Sequence, residues 1–196
     1  MPAPITSISQ LDKHGVYTYA DYLTWRFSEM VELIKGRLFI TSPAPASKHQ
    51  DLSAALLRNT IYYFWSKDCK VYHAPFDVRP SGKSADDAEV LTVVQPDICV
   101  ICDSTKVDER GCAGAPDWII EIVSPSTAKK DLNDKYNLYE ENGVQEYWVV
   151  FPDANAINQY VLVDDKYEYT DTFGRHQKLS PELFPDLVFD LKEVFP

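Results

Sequence analysis

Two strands with a helix between them are predicted in succession in the second half of the chain. The run PDWIIEIVSPST (116–127) is apolar enough for a buried strand, and EYWVVF (146–151) is a second one. The residues between them fit a helix that is capped by Ser126 or Thr127 and stopped by Gly143. Strands joined in this way are usually parallel with a right-handed crossover, so the order favours an α/β fold.

Shorter patterns predict the remaining elements. Thr18 begins a helix that runs to about Met30, with Asp21 three residues later as a capping partner. Two short strands are expected around Lys35 and Gly36, and a long amphipathic helix from Ser47 to about Lys67. Further strands are expected near 70–79, 97–102, 118–123, 146–151 and 158–163, followed by a closing hairpin and a short terminal element.

The size and composition of the chain limit the kinds of protein it can be. A length of 196 residues fits a single domain, predicted here over 1–196 with 1–16 as a loosely ordered N-terminal arm. No run of about 18 apolar residues is present to span a bilayer, and the first residues lack a secretory signal. These features predict a cytoplasmic protein without a membrane partner.

The four cysteines raise the question of a zinc site. Cys99 and Cys102 would point to opposite faces of one strand and so could not share a metal ion. Without a second CxxC motif, all four, including Cys69 and Cys112, are predicted to be reduced buried thiols.

The net charge of −11 argues against a protein that coats nucleic acid, because phosphate binding needs clustered lysine and arginine. An acidic chain could still act on DNA if a basic partner or a second copy in a homodimer completed a groove.

Two isolated acids lie on predicted core strands. Asp97 shares a face with Cys99, and Glu121 stands within an otherwise apolar face where burial is costly unless it is paired or bound to metal. If the two strands are neighbours, both carboxylates can converge on one hard cation, with the carbonyl of Ile122 as a third oxygen. Such oxygen-rich sites suit Mg²⁺ or Mn²⁺.

A cation for the attacking hydroxide or the phosphate is expected near such a site. The position two residues after Glu121 is Val123, so the nearest candidate is Lys135 on the following helix. Helical spacing puts Asp131, Lys135 and Tyr139 on one stripe that could face the acids.

Three motifs in this half of the chain resemble one family. They are QPD (95–97), EIVSPST (121–127) and a D…K…Y…GV.EYW pattern (131–148), and together they resemble the Uma-two (Uma2) family of restriction endonucleases in the PD-(D/E)XK nuclease superfamily. Two earlier segments are similar to that family as well. They are VELIKGRL, which contains Glu32, and SPAP..KH, which ends at His49.

The resemblance implies a restriction-endonuclease-like core, a mixed β-sheet flanked by helices. It implies that Asp97 and Glu121 are metal ligands, that Lys135 replaces the lysine missing at Val123, and that Glu32 touches a metal-bound water or a second metal. It also implies Mg (or Mn) as cofactor and DNA as substrate.

Plainer interpretations of these residues stay open. Asp97 could tie down a turn, Lys135 could form a weak surface pair with Asp131, and Glu32 could be an exposed strand residue. His49 could be structural or a metal ligand.

Three hypotheses for function follow. The first is a metal-dependent endonuclease that hydrolyses DNA. The second is a non-catalytic interaction or regulatory protein on a nuclease scaffold, and the third is a hydrolase of a small phosphate ester. No helix-turn-helix or zinc finger is visible, so base recognition would depend on loops such as 80–90 and 103–116.

Overall fold

The computed structural model describes residues 4–40, 47–82, 86–124 and 130–195. Its α-helices are α1 (Tyr19–Tyr22), α2 (Ser47–Phe64), α3 (Tyr136–Glu141) and α4 (Leu191–Val194), with 3-10 helices at Ile8–Gln10 and Ser104–Lys106 and a π-helical segment at Lys130–Lys135. Its strands are β1 (Val31–Ile34), β2 (Arg37–Ile40), β3 (Lys70–His73), β4 (Val78–Arg79), β5 (Ile98–Ile101), β6 (Val107–Asp108), β7 (Gly111–Ala113), β8 (Trp118–Ile122), β9 (Glu146–Phe151), β10 (Ala156–Val163), β11 (Lys166–Gly174), β12 (Lys178–Leu179) and β13 (Phe189–Asp190).

A six-stranded mixed sheet forms the centre of the molecule, in the order β11-β10-β9-β8-β5-β3. β8 and β9 are parallel, as the strand-helix-strand pattern predicted, and the other neighbours are antiparallel. β5 and β8 are direct neighbours, which is the condition for Asp97 and Glu121 to meet.

The two faces of this sheet are covered by different helices. Alternating residues of the central strands point to opposite sides, so each strand contributes to two cores. The α2 side buries Leu52, Leu56, Phe64, Ile98, Val100, Trp118, Ile120 and Trp148. The α3 side buries Leu138, Tyr139, Cys99, Ile101, Ile119, Val123, Tyr147 and Val149. The prediction of a mixed sheet flanked by helices is therefore confirmed.

A small hairpin brings the N-terminal half against the central sheet. β1 and β2 pair around Lys35 (φ 51°) and Gly36 (φ 78°), two left-handed residues typical of a tight hairpin turn. A bridge from Leu33 to Val93 links β1 to the segment before β5. A second bridge, from Val94 to Val78, links that segment to β4. The hairpin thereby carries Glu32 toward the end of the central strands.

The N-terminal helix is much shorter than predicted. Thr18 and Asp21 form the expected capping box, but α1 ends at Tyr22 rather than near Met30. The Thr24 hydroxyl donates to the Asp21 carbonyl at 2.6 Å, and Trp25 is buried in a separate apolar cluster. Side-chain bonding to the backbone and tertiary burial outweigh helix propensity in this segment. Leu11, within the predicted N-terminal arm, is buried in the same cluster.

The prediction of four reduced thiols is wrong for one pair. Cys69 and Cys102 form a disulfide, because extending the β3–β5 register of Lys70 with Ile101 by one residue places them opposite each other. Cys99 and Cys112 are free and buried, as predicted. Cys99 and Cys102 also lie on opposite sides of the sheet, in agreement with strand alternation.

The helix between β8 and β9 ends as predicted, with Gly143 in the left-handed conformation (φ 79°) just after the C-cap residue Asn142. The predicted caps Ser126 and Thr127 lie outside the described residues. In the part of the chain that the structure describes, no helix is long and apolar enough to cross a membrane.

Candidate active site

The two strand acids lie side by side at one end of the central sheet. Asp97 directly precedes β5, and Glu121 is the fourth residue of β8. Extending the antiparallel pairing of Ile98 with Ile120 by one residue sets Asp97 opposite Glu121. Opposite residues of neighbouring strands point to the same face. The predicted shared face is thus observed.

Glu121 is buried and held by two donors. The Nζ atom of Lys135 and the hydroxyl of Tyr139 both lie 2.7 Å from its Oε1 atom. Glu121 is 3% exposed, so its charge depends on these partners rather than on water. Lys135 and Tyr139 are one helical turn apart, and this confirms that they share a stripe facing the acid.

Lys135 also reaches the third acid. Its Nζ lies 2.9 Å from Oε1 of Glu32, so one ammonium group bridges Glu32 and Glu121. Lys135 is 2% exposed, and the interpretation of it as a surface residue is therefore wrong. The side chain of Asp131 lies outside the described part of the chain.

Glu32 is buried as well, at 1% exposure, so it is not the exposed strand residue considered above. Its Oε1 accepts the backbone N–H of Gln95 at 2.7 Å. Gln95 begins the QPD motif, and its main chain therefore connects the hairpin acid to the strand that carries Asp97.

The backbone around Lys135 is unusual. Residues Lys130–Lys135 are π-helical and lead directly into α3. A π-helical turn is rare and recurs at functional sites, because its wider turn changes the direction of the side chains. No signal in the sequence pointed to this conformation.

The hydroxyl of Tyr139 is a hydrogen-bond donor throughout the neutral pH range. Burial raises its pKa well above the ordinary value of 10.0, and the nearby Glu121 and Glu32 charges add to the shift. The Tyr139 ring also packs against Tyr147 of β9, in addition to the bond to Glu121.

Replacing Tyr139 with phenylalanine should lower the free energy of unfolding by about 1.5–3 kcal/mol, the usual range for a hydrogen bond to a charged group. Because the folded-state pKa is raised, the unfolded chain ionises first as pH rises. The difference between the wild type and Tyr139→Phe should therefore stay constant up to about pH 9 and shrink above about pH 10. Urea titrations at a series of pH values measure it, and a difference that grows above pH 10 would contradict this assignment.

The Asp97 carboxylate is bonded to the end of the neighbouring strand, β8. Its Oδ2 accepts the N–H of Ile122 at 2.7 Å. Asp117, which also follows a proline, makes the equivalent bond to the N–H of Cys102 at 2.7 Å at the other end of the same strand pair. What distinguishes Asp97 is its surroundings, since it alone of the two faces Glu121.

His49 lies next to Asp97, a contact that the sequence did not predict. Its Nε2 lies 3.4 Å from Oδ2 of Asp97, where the N-terminal turn of α2 meets the end of β5. Both side chains are partly exposed, at 17% and 20%. Its position in the first turn of a predicted helix was visible, but the approach to Asp97 is a tertiary contact.

The donor chemistry of this site suits a hard divalent cation. Asp97 and Glu121 offer carboxylate oxygens, and Mg²⁺ is commonly held by one or two carboxylates together with water and substrate phosphate. Among the described residues, no three His, Cys, Asp or Glu side chains are grouped so that they alone could hold an ion. An ion held by Asp97 and Glu121 would therefore need water or substrate oxygens to complete its coordination.

Comparison with known families decides the assignment. The model of the Uma2 family, "Putative restriction endonuclease", matches residues 19–192. The chain belongs to the Uma2 family. The resemblance found in the QPD and EIVSPST motifs is confirmed.

Two known proteins are similar to this chain. The Uma2 chain is 24% identical over 148 residues to the uncharacterized protein slr1290 of Synechocystis sp., covering 74% of each chain. A crystal structure of "a putative nuclease belonging to DUF820" from Anabaena variabilis matches with a TM-score of 0.69 at 19% identity. That match covers 91% of this chain and 97% of the other, and it shows that the two proteins share a fold.

Proposed function

We propose that this Uma2-family protein is a metal-dependent endonuclease that hydrolyses DNA phosphodiester bonds. One observation carries the proposal: a buried lysine bridges two buried carboxylates at the strand end where Asp97 stands opposite one of them. Burial of three charged groups is costly, and such arrangements cluster at functional sites. Membership of a restriction-endonuclease family supports the same conclusion.

Asp97 and Glu121 would hold Mg²⁺ or Mn²⁺, with the Ile122 carbonyl as a third oxygen. Bound there, the ion would polarise a phosphate oxygen and make a coordinated water more acidic. The N–H of Ile122 donates to Asp97, so the same peptide segment positions the carboxylate.

Lys135 supplies the cation that the strand itself lacks. Val123 stands where a lysine would follow Glu121, and it is buried at 6% exposure in the apolar α3-side cluster. A helix-borne ammonium at 2.7 Å from Glu121 can instead orient the nucleophile and stabilise negative charge on the phosphate.

Glu32 has a positioning role in this mechanism. It contacts Nζ of Lys135 at 2.9 Å and is itself held by the Gln95 amide. It could also polarise the attacking water, as the family resemblance implies. A cytoplasmic location is part of the same proposal, and the Cys69–Cys102 disulfide is the observation against it, because cytosolic thiols are usually kept reduced.

The proposal is tested by a matched pair of variants, Asp97→Asn and Asp117→Asn. Both substitutions keep an oxygen that can accept the cross-strand N–H, and both remove one charge at equivalent ends of β5 and β8. Asp97→Asn should weaken Mn²⁺ binding in calorimetry by about 100-fold or more, because even outer-sphere partners contribute 10–100-fold. Nicking of supercoiled plasmid should fall with it, while Asp117→Asn retains both.

Two outcomes would contradict the proposal. If Asp97→Asn binds Mn²⁺ and nicks plasmid like the wild type, Asp97 is only a strand tie. If the wild type neither binds the ion nor cuts DNA, the hypothesis of a non-catalytic protein on a nuclease scaffold is favoured. The net charge of −11 favours that second candidate, since an acidic chain attracts DNA poorly on its own.

A further inference from the structure

Two aromatic side chains stand out at the C-terminal end of α2. Tyr62 is 85% exposed and Trp65 is 82% exposed, the highest values among large hydrophobic side chains of the described residues. Tyr62 lies in the last turn of α2, and Trp65 directly follows the end of the helix at Phe64. Val188, at 53% exposure, adds an apolar side chain from the segment that leads into β13. Contiguous exposed apolar surface of this kind usually marks an interaction site.

A groove lies directly beside these side chains. It has a volume of about 920 Å³ and runs between the C-terminal half of α2 and residues 186–188, with Tyr62 and Trp65 on its rim. Asn59 and Tyr63 of α2 line it, together with Ser66, which follows the helix. One surface therefore carries both projecting aromatic side chains and a cavity large enough to receive such side chains.

The charges around this groove are balanced, unlike those of the whole chain. Arg58 lies 3.8 Å from Glu193, and Lys67 stands over the Tyr63 ring at 3.0 Å, while Asp186 lines the groove. A nucleic-acid strand would need an excess of cations here. Two copies of a chain with a net charge of −11 repel each other except through a surface that is locally neutral.

We propose that this face is the interface of a homodimer, in which Trp65 of each copy enters the groove of the other. A twofold contact requires one patch that complements itself, and a projecting side chain next to a cavity meets that requirement. Tryptophan and tyrosine are the residue types enriched at the energetic centre of such contacts. The two helices α2 pack against each other across the axis.

The proposed interface leaves the candidate active site open. The groove lies on the α2 side of the sheet, and Glu121 with Lys135 lies on the α3 side. Two exposed aromatic side chains can bury about 300 Å² or more per partner, and a stable interface needs about 800 Å². In the proposed dimer the remainder comes from the surface of α2 around the groove, since the two α2 helices pack against each other. The inference is independent of the proposed function, because association does not require cleavage.

The fluorescence of Trp65 can report whether the proposed dimer forms. The chain has four tryptophans, and the other three, Trp25, Trp118 and Trp148, are at most 8% exposed. On dilution of the full chain, sedimentation velocity should show a mass falling from twice 22.4 kDa to 22.4 kDa. Tryptophan emission should shift to longer wavelength over the same concentrations, as Trp65 becomes solvated.

Two variants decide the location of the interface. Tyr62→Glu keeps the reporter and should give 22.4 kDa and long-wavelength emission at every concentration. Val16→Glu changes another exposed apolar residue, at 69% exposure, and should behave like the wild type.

Three results would overturn the proposal. The first is a wild-type mass of 22.4 kDa throughout the series, and the second is a dimer that survives Tyr62→Glu. The third is quenching of Trp65 by a single-stranded oligothymidylate while the protein stays a single chain, which would make the groove a base-stacking site.

Discussion

Replacing Lys135 with methionine should lower the free energy of unfolding by about 3–5 kcal/mol, the usual cost of removing one partner from a buried ion pair. Methionine fills a similar volume, so the loss reflects charge rather than packing. Glu32 and Glu121, at 1% and 3% exposure, would both lose the ammonium group that bridges them. Urea unfolding followed by circular dichroism measures the change.

A surface pair gives the matched control. Lys35 lies 2.7 Å from Glu141, but the two side chains are 63% and 48% exposed. Lys35→Met should therefore change stability by about 0.5 kcal/mol or less. Equal losses for Lys35→Met and Lys135→Met would show that the buried bridge has no special role.

A double variant tests whether the loss at Lys135 is electrostatic. Combining Lys135→Met with Glu121→Gln removes one of the two carboxylate charges left unpaired by Lys135→Met. The free energy of unfolding should therefore be higher than that of Lys135→Met alone by at least about 1 kcal/mol. Stability losses that simply add would contradict the coupling inferred from the 2.7 Å contact.

Replacing Gly111 with alanine should destabilise the protein by about 3 kcal/mol or more, from backbone strain and overpacking together. Gly111 has φ +120°, and a Cβ atom there would lie 2.1 Å from the carbonyl oxygen of Asp77. That carbonyl accepts the N–H of Cys112 at 2.8 Å, so the clash would separate β7 from the chain beside β4. Thermal or urea unfolding measures the loss.

Gly82 is the control for this clash. Its φ is +90°, but no atom of the described residues lies within 4 Å of an added Cβ. Gly82→Ala should therefore cost only the backbone strain, about 1–2 kcal/mol. If the two alanine variants are equally stable, contact with Asp77 does not explain the glycine at position 111.

Much of the central fold was predictable because it depends on local patterns. Alternation along a strand placed Glu121 on the face of Ile119 and Val123, and the structure shows that face on the α3 side. The end of the helix at Gly143 and the turn at Lys35 and Gly36 likewise depend on backbone preferences of single residues. Such features are decided within a few positions of the chain.

The features that were predicted wrongly depend instead on tertiary contacts. The helix begun at Thr18 stops early because Trp25 is taken into a tertiary cluster. Cys69 and Cys102 are joined because two strands pair in one register, which the spacing of cysteines does not reveal.

The residues of the candidate site likewise include some that the local pattern identifies and some whose contacts only the tertiary structure decides. The local pattern was sufficient to identify Asp97 and Glu121, since isolated acids on apolar strands are conspicuous wherever the strands lie. The contacts of Glu32 and His49 were decided only by tertiary structure. Glu32 meets Lys135 across 103 positions of sequence because a hairpin docks beside β4, and His49 meets Asp97 because α2 packs along the sheet. Docking of this kind depends on non-local packing, on which local periodicity carries no information.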